Sequence, residues 1–310
     1  MTRTRPGGTE ELSAIPEPHP TARLTDLVAD RLHVAGGMLR LGPDVSWSPP
    51  DEWGRYQPLN CYAVREDDGV LIIDPGPACF QELVTRQLRT IVRAGSPVSV
   101  YITRPEFDTF SGLNSIAEVF DIQQLYSGGH ANPFDGLDLI TTVAPTHASE
   151  HLLLERLRAG TAIPVGRGRA VTILRPTMRV LNTYWLHDSA TATLFTSDAF
   201  GHLVADSAAE GRVAGPQDDG CDVETVARHM FAKFWWMPYA GPEIERVADE
   251  LRAIFDRNEV RRIAPARGKV IAGADRVRRH YELVLEVFAG ISSGRWSATV
   301  GGRDPEGAQR

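Results

Sequence analysis

Lysine is nearly missing from this chain: of 33 basic residues 31 are arginine, and only Lys233 and Lys269 are lysine. Arginine is the default cation, so an arginine at a suspected site must be weighed against that background. Cysteine is scarce as well. Cys61, Cys79 and Cys221 are far apart and form no C-x-x-C pair, which argues against a disulfide framework and against a thiolate zinc site. Long apolar runs are lacking, and nothing approaches the ~18–20 residues needed to span a bilayer. The Pro- and Gly-rich opening, "MTRTRPGGTEELSAIPEPHPTARL", has no apolar h-region of a secretory signal. Basic excess is absent too: the net charge of −7 supplies no field for steering phosphate backbones, which disfavours broad nucleic-acid binding, and no nucleic-acid partner is expected. These absences together lead us to expect a cytoplasmic protein.

What remains is a globular composition, 42% hydrophobic and 24% charged over 310 residues, enough for one large core or two modest ones. We expect a flexible leader over 1–30, one domain over 31–292 and a flexible tail over 293–310. "CYAVREDDGVLIIDPGP" alternates, turns at Asp67-Asp68-Gly69 and runs into an apolar strand, which predicts a hairpin. Helical spacing of apolar residues predicts a helix from Ala78 to Ala94 ending at Gly95. A strand (98–102), a loop and a helix (about 112–120) follow, then strands near 123–128 and 137–145, a helix near 149–160 and a strand near 170–176. A second hairpin over 179–201 again ends in an apolar strand running into Ser-Asp. Helices over 222–237, 242–258 and 275–290, with a strand-like 260–270, complete the pattern. Strands and helices without strict alternation predict an α/β fold of two packed sheets covered by helices, an αββα sandwich. Acidic residues at the ends of its apolar strands then converge on one edge, where a site belongs.

The stretches "NCYAVREDDGVLIIDPG", "TRPEFDTFSG", "LFTSDAFGHL" and "IAPARGKV" resemble, in order and spacing, the metallo-β-lactamase fold. Within it they are most similar to the di-iron domain of flavodiiron proteins and the oxygen-binding di-iron protein family, over about residues 35 to 290. A flavodoxin-like domain is not expected after residue 290. The family's H-x-E-x-D-H motif is matched by Arg104, Glu106, Asp108 and Thr109, its bridging aspartate by Asp198, and the histidine of its late Pro-Ser-His-Gly turn by Arg267 in "PARG". Arg179, after "RPTM", is the best match for the middle histidine. The resemblance thus implies that three carboxylates are kept while the ligand histidines are replaced by arginine.

Guanidinium has five N–H donors, no acceptor, and is not deprotonated in a protein, so arginine cannot replace an imidazole ligand. At ~4 Å and an effective dielectric near 20, each would repel a divalent cation by roughly 8 kcal/mol. Three carboxylates crowded together need cations to stay ionised, and three arginines would balance them. The expectation is a metal-free arginine cluster with no cofactor, a degenerate flavodiiron-like pocket that binds a small anion, a cofactor or a redox partner. One alternative is an oxidoreductase of oxygen or nitric oxide chemistry that keeps iron or manganese through Glu106, Asp108 and Asp198; another is a metal-dependent hydrolase.

Other features have plainer readings. "HASEH" at 147–151 matches an H-x-x-E-H zinc helix, yet it begins at a helix start where the resemblance places no site. His187 and His202 flank the second hairpin and suit satisfied histidines, with His202 within reach of the pocket mouth. In "MFAKFWWMPY", helical spacing assigns Phe231, Phe234 and Trp235 to the core, leaving Trp236 and Tyr239 for a homodimer contact or a pocket wall.

Overall fold

Period-two burial generates the central layers. In the strand Gly69–Ile73, Leu71 and Ile73 point into a core between two sheets, while Val70 and Ile72 point into a second core under helices. The strand is therefore buried on both faces, as its unbroken apolar run predicts. The computed structural model describes residues 23–67, 69–129, 152 and 154–296. The first sheet runs β1 (Thr25–Val28), β2 (Leu32–Arg40), β3 (Tyr56–Glu66), β4 (Gly69–Ile73), β5 (Val98–Ile102), β6 (Ile122–Ser127) and β7 (Leu154–Arg156) in spatial order. Its β1–β4 half is antiparallel and its β4–β7 half parallel.

The second sheet comprises β8 (Ala162–Val165), β9 (Arg169–Leu174), β10 (Trp185–Asp188), β11 (Thr193–Ser197), β12 (Arg262–Pro265) and β13 (Ile271–Ala272), in spatial order β13-β12-β11-β10-β9-β8. Only β11 and β12 pair in parallel there. The same alternation recurs: Trp185, Leu194 and Ile263 face helices, while Leu186, Phe195 and Ala264 face the other sheet. Helices α1 (Gln81–Leu88), α2 (Phe107–Phe110) and α3 (Leu113–Ala117) lie on the chain segment that covers the first sheet. Helices α4 (Val223–Lys233), α5 (Ile244–Arg257) and α6 (Ala274–Ser292) cover the second. This is the expected αββα sandwich. At one end the sheets are tied by Arg169, whose Nε donates to Asp188 Oδ1 at 3.0 Å and whose Nη1 donates to the carbonyls of Arg31 and Arg65 at 3.0 and 2.7 Å.

Several elements differ from the expectation. Residues 154–156 of the expected helix at 149–160 form β7, because their backbone completes the parallel edge beside β6. The helix expected over 78–94 is a 3-10 turn (Ala78–Phe80) followed by α1, which stops at Leu88. The helix expected over 222–237 ends at Lys233, since Phe234 leaves helical geometry at φ −104°, ψ 62°. That break shifts the phase of the aromatics: Phe234 is buried as expected, but Trp235 is 67% exposed and Trp236 is partly buried, its Nε1 donating to the Arg179 carbonyl at 3.1 Å. The strand expected near 137–145 and the "HASEH" pattern lie outside the described residues. Among the described residues no helix is long and apolar enough to cross a membrane.

Candidate functional site

Two strand ends build one edge of the sandwich in the same way. Each sheet has an antiparallel hairpin whose second strand pairs in parallel with the next, β3-β4-β5 in one and β10-β11-β12 in the other. At both exits the chain takes a positive φ, +52° at Asp74 and +52° at Ser197, a costly conformation for residues with a Cβ. Hydrogen bonds hold it. Thr103, just after β5, donates its N–H to Asp74 Oδ1 at 2.8 Å and its hydroxyl to Asp74 Oδ2 at 2.7 Å, and lies 2.7 Å from the Ser197 hydroxyl. Burial raises the Asp74 carboxyl to about 7, although Arg104 and the Thr103 bonds pull the other way.

From this buttress the loop 103–109 presents its charges. Arg104 is fully buried. Its Nε donates to Glu106 Oε2 at 2.5 Å and lies 2.9 Å from Asp198 Oδ1, its Nη1 donates to the Ser197 hydroxyl at 3.0 Å, and its Nη2 bonds Asp108 Oδ2. Arg267, in the turn after β12, closes the lattice: Nε donates to Asp108 Oδ2 at 2.6 Å and Nη2 to Glu106 Oε2 at 2.7 Å. Burial would raise the Asp108 carboxyl, but Arg104 and Arg267 outweigh it and hold it down to about 2. Burial likewise opposes the Arg104 charge, and Asp108, Asp198 and Glu106 overcome that.

Five of the seven residues expected at the site therefore meet: Arg104, Glu106, Asp108, Asp198 and Arg267. Thr109 is buried beside them in a different role, its hydroxyl lying 2.8 Å from the Arg104 carbonyl and 2.7 Å from the Glu106 carbonyl, so that it closes the loop. Arg179 is not in the cluster. Its Nη1 donates to the Pro176 carbonyl at 2.6 Å and no ion pair joins it to the carboxylates. The third cation is Lys233, at the end of α4, which lines the same cleft as Asp198 and Arg267 and donates to the Gly201 carbonyl at 3.2 Å. Burial and the neighbouring Arg267 lower its ammonium to about 7, against the pull of Asp198. Its rarity is the one sequence signal that singles it out.

Above the lattice opens a cleft of about 650 Å³, walled by Leu39, Trp47, Leu59, Phe107 and Val180. The Trp47 ring lies 3.9 Å from the Arg267 guanidinium carbon, a cation–π contact that fixes the fork from the open side. Arg267 Nη1 and two of the Lys233 protons make no hydrogen bond among the described residues, while Asp198 Oδ1 is ion-paired with Arg104. The other flagged histidines lie elsewhere. His187 Nε2 meets the Glu259 carbonyl at 2.9 Å, and His202 is buried against His280 and does not line the cleft.

No protein-family model matches this sequence, and no curated protein matches it. Solved structures do. Rubredoxin oxygen:oxidoreductase from the anaerobe Desulfovibrio gigas superposes with a TM-score of 0.63 at 17% identity, over 86% of this chain and 62% of that one. The metal-soaked Flv1 flavodiiron core from Synechocystis gives a TM-score of 0.60 at 15% identity, over 85% of this chain and 60% of that one. The fold is that of a flavodiiron core. A fragment of a diflavin flavoprotein from Nostoc is matched over 96% of its length, at 16% identity and a TM-score of 0.59. This chain spans about three fifths of the length of the first two, 62% and 60%.

On this flavodiiron-like scaffold, the residues at the edge do not fit a di-iron centre. Glu106 Oε2 and Asp108 Oδ2 each accept from both Arg104 and Arg267, so these two oxygens are committed to guanidinium groups, which have no lone pair to offer a metal. The turn that carries Arg267 is also tightly seated. Gly268 has φ +99°, and a Cβ there would meet the Gly201 backbone at 2.9 Å. Gly268→Ala is expected to cost about 1–3 kcal/mol by forcing the turn off Gly201. Urea denaturation reads that loss, and near-ultraviolet circular dichroism of Trp47 reads the displaced Arg267.

Proposed function

We propose that this chain is a metal-free version of the flavodiiron fold whose cleft binds a small anionic ligand. The observation that carries the reading is that two guanidinium groups bond the very carboxylates a metal pair would require. Arg267 Nη1 and Lys233 Nζ are the donors left for the anionic head, and Trp47, Phe107, Leu39 and Val180 suit an apolar body. Because the arginines are already neutralised, the ligand meets a pocket of nearly balanced charge, which favours one anionic group beside apolar surface over a polyanion. The homodimer reading rests on the exposed Trp235 and Tyr239, and sedimentation of the purified chain reads it directly.

The test is iron and manganese content of the full chain expressed with both metals supplied. Less than stoichiometric iron or manganese is expected, and Arg104→His alone is expected not to restore it, because Arg267 and Lys233 remain. About two equivalents of iron, lost on Glu106→Gln, would overturn the reading and put the oxidoreductase alternative in its place.

A further inference from the structure

A second polar cluster, separate from the cleft, lies among α4, α6 and the segment after β11. His202 follows β11, His280 sits on α6 and Cys221 precedes α4, and one donor atom from each lies within 4.8 Å of the other two. His202 Nε2 and His280 Nδ1 face each other at 2.9 Å. Both imidazoles are buried and the thiol is half-buried, which leaves an entry path. A proton shared between two neutral imidazoles accounts for that contact, but not for the rest. The Cys221 thiol, which lies beside that imidazole pair, has only a long 3.8 Å contact to the Asp222 carbonyl. A polar group short of partners is costly, and here a nearly unpartnered thiol and two imidazole nitrogens are gathered within 4.8 Å of one another.

The geometry points to a zinc site made by His202, Cys221 and His280, with solvent as the fourth ligand. Two imidazoles and one thiolate are donors that Zn²⁺ prefers, and three protein ligands plus water is an established coordination pattern for it. With Zn–N near 2.0–2.1 Å, tetrahedral nitrogen donors sit ~3.3 Å apart, so the imidazole pair needs to open by only about 0.4 Å. The thiol gives up its proton to solvent as the Zn–S bond forms, so binding releases one proton. Nearby charges largely cancel: Arg276 is paired with Asp219 at 2.9 Å, Lys269 with Asp218 at 2.9 Å, and Arg55 with Glu52 at 2.6 Å, while Arg279 donates to the Cys221 carbonyl. The spacing of cysteines in the sequence hid this site because its ligands come from three separate segments.

The test titrates the chelator-treated full chain with Zn²⁺ and separately with Co²⁺. We expect one equivalent of zinc, a raised thermal midpoint, and a thiolate-to-cobalt charge-transfer band. Cys221→Ser should abolish that band and weaken zinc binding at least about tenfold, while Cys79→Ser should leave both unchanged. Absence of the band in the folded wild-type chain would overturn the proposal, and so would a band or a zinc affinity unaltered by Cys221→Ser. The wild-type cobalt spectrum decides the matter even if a variant fails to fold. Iron or manganese in the cleft is a separate readout, lost on Glu106→Gln and unaffected by Cys221→Ser.

Discussion

Arg104→Ala is expected to cost about 3–5 kcal/mol, the largest loss of any single substitution at the edge of the sandwich. The guanidinium is wholly buried and contacts Glu106, Asp108, Asp198 and the Ser197 hydroxyl. Removing it leaves only Arg267 and Lys233 to balance three carboxylates, and withdraws the bond that helps hold Ser197 at positive φ. Repulsion among carboxylates freed of that charge should push protons onto them, so the variant's deficit should shrink as pH falls through the carboxylate range. Arg104→Ala/Asp108→Asn should recover a substantial part of the loss, because it removes one of the stranded charges. Urea denaturation of the wild-type, single and double variants checks this. A single variant within about 1 kcal/mol of wild type would mean that the ion lattice is not what holds the edge together.

The same lattice explains what could be foreseen from the sequence. Glu106, Asp108 and Arg104 share one short loop, so their convergence needs only a tight turn between strand and helix. Asp198 and Arg267 follow β11 and β12, which pair in parallel and so exit at the same edge. Arg179 was harder to place: it lies in an irregular stretch between β9 and β10, where no periodicity fixes the direction of a side chain, and it turns onto its own backbone at Pro176. Lys233 was missed for the opposite reason. It sits in a strongly periodic helix, and its role depends on α4 ending at this residue, which the aromatic run "FWWM" conceals. The two lysines of this arginine-rich chain share a pattern that composition alone could have raised: Lys233 lies in the cleft, and Lys269 is buried between Glu210 and Asp218 at 2.9 Å from each. Arginine is always charged and forked, whereas lysine is compact and able to lose its proton. A position that keeps lysine against such a background suits a compact or titrating cation.

That property gives the second large effect. Lys233 has an ordinary ammonium value of 10.5 when unfolded and about 7 when folded. Between those values the unfolded chain carries a proton that the folded chain has lost. Raising the pH through this window strips the unfolded state and stabilises the fold; below about 7 both states are protonated and the cost of the confined charge is fully present. Lys233→Met is therefore expected to be more stable than wild type at pH 6, by on the order of 3 kcal/mol after allowance for partial solvent exposure, with the difference closing towards pH 10. The Asp74 carboxyl, held up to about 7, adds the opposite slope between its ordinary 3.8 and 7, where the folded chain holds the extra proton. The two effects occupy adjoining windows, so the variant isolates the upper one. Amine-selective acylation supplies an independent reading, since Lys269 is buried in its ion pairs and Lys233 faces the cleft. Labelling of Lys233 should rise with pH to half its maximum near neutrality, and an anion seated on Arg267 and Lys233 should slow it by holding the ammonium charged. A labelling midpoint near 10 would mean that the cleft leaves Lys233 an ordinary solvated amine, and its role as the anion's second donor would then rest on charge alone.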